Sequence, residues 1–177
     1  MSTTPRVPLL PPSQWSEEAH EAFAVLNSSA TKDVGAASNL GMTLANYPKL
    51  AKAFYTFGRH LLLESSLSDR LREIATLRVA WRYKVEYEWF HHVRFGKRIG
   101  MSAAEIEAIK TGADDKVWTN AADRAVLRVT DSLIDRSTLD DATWTEINKH
   151  LNLHQVMDLL FTVGQYVMLG WVAASAG

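Results

Sequence analysis

Apolar residues recur at helical spacing over most of the chain, and no stretch shows the sustained alternation of a half-buried strand. Start and stop signals divide this pattern into eight predicted helices. Ser16 caps a helix from Glu17 to about Leu26. Pro48 opens another to about Leu63, in the first turn, where its missing N–H would be unpaired anyway. Ser68 caps a helix over Asp69 to about Tyr83. The next runs from about Glu86 to Ile99 and stops at Gly100, the residue type favoured just past a helix C-terminus. Ser102 and Glu105 form the S-x-x-E capping box of a short helix ending near Gly112. Asn120, Asp140 or Asp141, and Asn152 start the last three, which end near Arg136, His150 and Ala174. The small and polar run 27–40 reads as a loop. The expected class is all-α.

Two of these helices depart from the usual amphipathic pattern. In the helix over 69–83, Leu71, Ile74, Ala75, Leu77, Val79, Ala80 and Trp81 leave few polar faces, which predicts a buried helix. Glu73 and Arg78 lie inside that run. A buried carboxylate must be paired or protonated, so Glu73 is either half of a structural ion pair or a site group. From Leu159 to Ala176 there is no charge, a run close to membrane-spanning length. Asp158 at one end, the helix-weakening Gly164 and Gly170, and the lack of a basic anchor predict a core or subunit-interface helix and no membrane span. Four of the five prolines, at 5, 8, 11 and 12, predict an extended arm over 1–15, lying across a neighbouring subunit or free. Residues 16–177 then form a single domain.

Composition narrows the chemistry. Of 177 residues, 47 % are apolar and 22 % charged, enough for a globular core. Nineteen Lys+Arg against 20 Asp+Glu give a net charge of −1, which argues against a nucleic-acid partner. There is no cysteine, so disulfides, thiolate metal sites and thiol nucleophiles are excluded. The N-terminal residues carry no export-type apolar run, and the expected location is the cytoplasm.

The densest polar and aromatic cluster is Glu86-Tyr87-Glu88-Trp89-Phe90-His91-His92. Residues four apart share a helix face, so Glu88 meets His92 and Tyr87 meets His91. An imidazole beside a carboxylate is what a proton-transfer site needs; the plain alternative is a surface salt bridge. Glu88-x-x-His91 and Glu17-x-x-His20 also have di-iron helix spacing, but a second lone Glu ligand is missing beside Glu73, and no metal is expected. Glu146, His150 and His154 read as surface residues. No Gly-rich phosphate loop, G-x-S-x-G or H-E-x-x-H occurs.

The stretch Leu71-Arg72-Glu73-Ile74-Ala75-Thr76-Leu77-Arg78-Val79-Ala80-Trp81, followed by Glu86-Tyr87-Glu88-Trp89 and His92-Val93-Arg94, resembles the carboxymuconolactone decarboxylase family. That family includes the AhpD-like alkylhydroperoxidases. The resemblance continues through Gly100–Ile106, Asp123–Arg128 and Gly164–Leu169. It implies an AhpD-like orthogonal array of about eight helices that assembles as a homo-oligomer, a trimer or hexamer. The peroxidase branch has a Glu, then a CxxC pair opening the next helix, then a His one turn on. Glu73 and His92 match the Glu and the His, while the cysteine positions fall on Val85 and Glu88. Thiol peroxidase chemistry is therefore not expected.

The decarboxylase branch also lacks the cysteine pair, needs no cofactor and acts on small carboxylated lactones from aromatic-ring degradation. The resemblance thus implies a cofactor-free acid–base enzyme with a small-molecule substrate. In such a reaction His92 would shuttle a proton, Glu88 would orient it, and Glu73 would be the buried acid or base. Arg78 would meet the substrate carboxylate or pair with Glu73. Tyr87, Trp81, Trp89 and Tyr166 would line the pocket. A non-catalytic ligand-binding or scaffold member of the same fold is the alternative.

Overall fold

The computed structural model describes residues 5–26 and 38–176. Among these it has nine α-helices and no strand: α1 (Glu17–Ala24), α2 (Asn39–Leu44), α3 (Pro48–Arg59), α4 (Asp69–Arg82), α5 (Glu86–Arg98), α6 (Ala103–Thr111), α7 (Ala121–Arg136), α8 (Asp141–Ile147) and α9 (Leu153–Ala176). The caps read from the sequence are formed. Ser16, Ser68, Asn120 and Asp140 accept from the first-turn amides of their helices. The Ser102–Glu105 capping box is closed in both directions.

Three local features differ from expectation. Ser38 caps the extra helix α2, which buries only Gly41 and so leaves no apolar stripe to read. The rest of the predicted loop, 27–37, lies outside the described residues. The helix from Pro48 does not run through to Leu63 as one α-helix, since His60–Glu64 form a π-helical turn. The proline arm contains a 3-10 turn, Pro12–Gln14.

The backbone divides into two compact units: Met1–Glu64 with Val172–Gly177, and Ser65–Trp171. In the first, α1 packs on α3 through Ala22, Leu26, Ala51 and Tyr55. The described part of the arm lies against its own chain. Arg6 and Val7 amides donate to the Ala176 carbonyl at 2.7 and 3.2 Å, and Asn46 Nδ2 donates to the Pro8 carbonyl at 2.7 Å. Trp15 Nε1 donates to the Leu10 carbonyl at 2.7 Å and packs with Ala19 and Ala45.

In the second unit α4 is central, packed by α5, α6 and α7. Every residue from Leu71 to Ala80 is buried, as the all-round apolar pattern requires. Arg70 ties three helix starts together, binding Glu105 at the head of α6 and Asp123 at the head of α7. Arg78 forks onto Asp131 of α7 at 2.8 and 3.0 Å. Its third nitrogen donates to the Ile109 and Lys110 carbonyls at the end of α6, at 2.7 and 2.9 Å.

This buried guanidinium fixes what can follow α6. Gly112 has φ +100°, a conformation side chains rarely adopt, and a Cβ there would lie 3.0 Å from Arg78 Nη2. Gly112→Ala is expected to lower stability by roughly 1–3 kcal/mol. Urea unfolding measures it, and an unchanged midpoint would refute the reading.

Candidate active site

The turn between α4 and α5 sets the site's geometry. Lys84 takes a left-handed conformation (φ 56°), and the Val85 amide reaches back to the Ala80 carbonyl at 2.9 Å. The chain reverses in a short turn and α5 returns along α4 as a helical hairpin. Glu86 and Glu88 occupy the first turn of α5, the favourable end of its dipole for acidic residues. The hairpin carries Glu73 of α4 to His92 of α5.

Glu73 Oε2 lies 2.7 Å from His92 Nδ1, and Glu88 Oε2 lies 3.3 Å from His92 Nε2. Glu73 is only 1 % exposed and His92 7 %. The row of charges extends along α4: Arg72 Nε is 3.5 Å from Glu73 Oε1, and Arg72 Nη1 donates to Asp69 Oδ1 at 2.8 Å. Asp69, Arg72, Glu73, His92 and Glu88 thus alternate in sign when the imidazole is charged. Alternation is what allows buried charges to persist, because each has opposite neighbours.

The imidazole is held charged at neutral pH. Burial alone would depress its pKa, but the Glu73 and Glu88 carboxylates outweigh burial and lift it from 6.5 to about 9. Both ring nitrogens then carry protons and face carboxylate oxygens. Both carboxylates favour the protonated ring, and Glu73 is the nearer partner.

A second helix closes over the ring. Asp158 of α9 accepts from the Ser66 amide and hydroxyl, both at 2.7 Å, which pins α9 beside the start of α4. Two turns further on, Tyr166 meets the His92 ring edge-on, with centroids 4.8 Å apart. Phe95 packs against it at 5.6 Å. Burial and the neighbouring Glu73 and Glu88 charges raise the Tyr166 pKa, so its hydroxyl remains protonated.

The other sequence candidates have different partners. Arg78 pairs with Asp131, not with Glu73, and its nitrogens all have acceptors in α7 or α6. Trp81 and Trp89 pack on each other at 5.5 Å, with Lys110 over both rings. Tyr87 packs on His91 at 4.5 Å. Burial lowers the His91 pKa, against the attraction of Glu88. Arg72 was assigned no role from sequence, although its place beside Glu73 on a helix apolar all round marked it as a buried cation. Among the described residues no group of three His, Asp or Glu side chains is arranged to hold a metal ion. His20 packs on Trp15, and Glu146 pairs with Lys149 and His150.

Comparison with known proteins bears out the family resemblance. Residues 48–132 match the model of the Carboxymuconolactone decarboxylase family. Comparison with curated proteins returns no match. Among solved structures, the debrominase Bmp8, a cysteine-to-alanine variant in complex with 2,3,4-tribromopyrrole, superposes with TM-score 0.80 at 17 % identity. That match covers 99 % of this chain and 91 % of the other. An uncharacterized peroxidase-related protein from Silicibacter sp. TM1040 gives TM-score 0.78 at 18 % identity, with the same coverage. A protein of unknown function from Agrobacterium tumefaciens, with a suggested AhpD antioxidant-defence role, gives 0.70 at 16 %, over 75 % of this chain and 91 % of that one. At these identities the likeness establishes the AhpD-like helical fold.

Proposed function

With the carboxymuconolactone decarboxylase pattern as premise, we propose that this chain is a cofactor-independent acid–base lyase acting on a small carboxylated compound. The observation that carries the reading is the buried row Glu73–His92–Glu88 with its imidazolium. A charged imidazole is a proton donor, which decarboxylation of an unsaturated acid needs. The bond to the carboxylate breaks, CO2 leaves, and its electron pair spreads into a dienolate. The γ carbon then takes a proton.

Glu73 holds the Nδ1 proton at short range and so fixes the ring. The Nε2 proton is the mobile one. Its 3.3 Å separation from Glu88 is long for a charged hydrogen bond, and a substrate atom can compete for that proton. Glu73 is then the orienting carboxylate, and Glu88 the group beside the proton in transit. Tyr166, protonated beside the ring, supplies a donor for the enolate oxygen. Water returns the proton to Nε2 after each turnover.

The debrominase neighbour holds a small aromatic ring on the same fold, which supports a small unsaturated ligand here. With Arg78 engaged by Asp131, the substrate carboxylate needs another recognition group. The test is an ultraviolet screen of unsaturated carboxylic acids and lactones, with CO2 release measured on every hit. Turnover that falls as pH rises through about 9 is expected, following the imidazolium. Binding without turnover across the screen would favour the ligand-binding alternative.

The same positions exclude the peroxidase branch's reaction. Val85 and Glu88 stand where its two thiols would be, and the chain has no cysteine elsewhere. Pure protein with a thiol reductant is expected to leave alkyl hydroperoxides unconsumed beyond the protein-free rate. Protein-dependent consumption would overturn this.

A further inference from the structure

The surface of α9 carries an apolar line that the proposed chemistry does not use. Met157, Phe161, Gly164, Met168 and Trp171 follow one another at spacings of 4, 3, 4 and 3 residues. The four large side chains remain 45 %, 52 %, 42 % and 59 % exposed. Leu153 extends the line by a turn and is 61 % exposed. A 4-3-4-3 spacing keeps one seam of a helix facing a second helix, whereas packing onto a broad core produces a wider stripe.

We propose that a second copy of this chain covers this seam, with the two α9 helices antiparallel and crossing at Gly164. Three observations identify the occupant. The seam is nearly palindromic: relative to Gly164 its large residues stand at −7, −3, +4 and +7, so a twofold axis there sets Met157 against Trp171 of the partner subunit. Self-complementarity of this kind is the requirement of an isologous interface. Gly164 also leaves the backbone open at the crossing, since a Cβ there would meet nothing within 4 Å in its own chain. A small residue at a helix crossing lets two backbones approach closely.

The third observation is charge and size. No Asp, Glu, Lys, Arg or His occurs from Leu159 to Ala176, so nothing on the seam selects a charged partner. At the exposures given, side chains of this size present on the order of 500 Å² per copy, or roughly 1,000 Å² for the pair, the threshold for a specific interface. By length and composition α9 also passes for a membrane span, and 44 % of its most apolar window is buried in the protein. The palindrome distinguishes the readings, because a bilayer imposes no twofold pattern. A twofold pair narrows the trimer or hexamer expected from the family to a hexamer built of dimers, or to a dimer.

The absence of cysteine makes the test clean. In Gly164→Cys each copy carries one thiol at the crossing, and mild oxidation is expected to give a disulfide-linked dimer at least about tenfold faster than in Phe90→Cys, whose site on α5 is 61 % exposed. Mixing Met157→Cys with Trp171→Cys is expected to link the two variants to each other faster than either to itself. Trp171→Arg should halve the mass seen by light scattering while helical circular dichroism stays unchanged, a readout that stands even if Gly164→Cys fails to fold. Equal oxidation rates for Gly164→Cys and Phe90→Cys, or a monomeric wild-type mass, would overturn the proposal. So would partition of the wild-type protein into neutral phosphatidylcholine vesicles.

Discussion

Replacing His92 is expected to slow turnover by on the order of a hundredfold or more, the scale of a lost general acid. The structure decides which replacement gives a readable result. His92→Ala removes the cation between Glu73 and Glu88 and leaves two buried carboxylates without it. Breaking a buried pair in this way costs about 3–5 kcal/mol, so the alanine variant is expected to lose stability as well as activity. His92→Gln keeps a hydrogen-bonding group of similar reach and removes the acid. The large rate loss should persist in the glutamine variant under conditions where circular dichroism shows it folded. Glu88→Gln should cost less, since it keeps the shape on the Nε2 side and removes only charge. Combined with His92→Gln it should add little, because both act on one proton. Wild-type turnover by folded His92→Gln would remove His92 from the chemistry.

The helix starts and the buried hairpin were legible because their signals are local. A capping serine, a capping box and an apolar run around α4 each need only a few neighbouring residues to be read. The Glu88–His92 contact was legible for the same reason, being one helical turn. The Glu73–His92 contact joins two helices, and it was read only because the family resemblance placed both residues at one site. The resemblance did not carry the order of the pair: Glu73, not Glu88, is the closer carboxylate at 2.7 Å.

What the sequence hid is tertiary in origin. Arg78 finds Asp131, 53 residues away, and the end of α6, and no local pattern announces either. Trp81 and Trp89 sit at positions suited to lining a site, yet Lys110 from a third helix settles over them. α2 was missed because a six-residue helix with one buried glycine has no periodicity to detect. The arm's prolines predict its extension, but not the Ala176 carbonyl that anchors it.

The imidazolium also makes folding stability depend on pH. In the unfolded chain His92 titrates near 6.5, and in the folded protein near 9. Below about 6.5 both states carry the proton, and the stabilisation by Glu73 and Glu88 is fully present. As pH rises from 6.5 to 9 the unfolded state has released its proton while the folded state retains it, so each step upward favours unfolding. The total is on the order of 3 kcal/mol, lost by the time pH passes through 9. His91 and Tyr166 act outside this window. His91, whose pKa is lowered, acts below 6.5 and with the opposite sign, since its folded state sheds a proton that the unfolded state keeps. Tyr166, raised from 10, contributes only above 10, where the unfolded phenol ionises first. Urea unfolding at pH 6, 7.5 and 9.5 should therefore show a falling midpoint in the wild type. His92→Gln, less stable at pH 6, should show little of that slope, and the two curves should converge towards pH 9.5. A wild-type midpoint unchanged across the range would mean that His92 is neutral in the folded protein, and the proton donor would have to be another group.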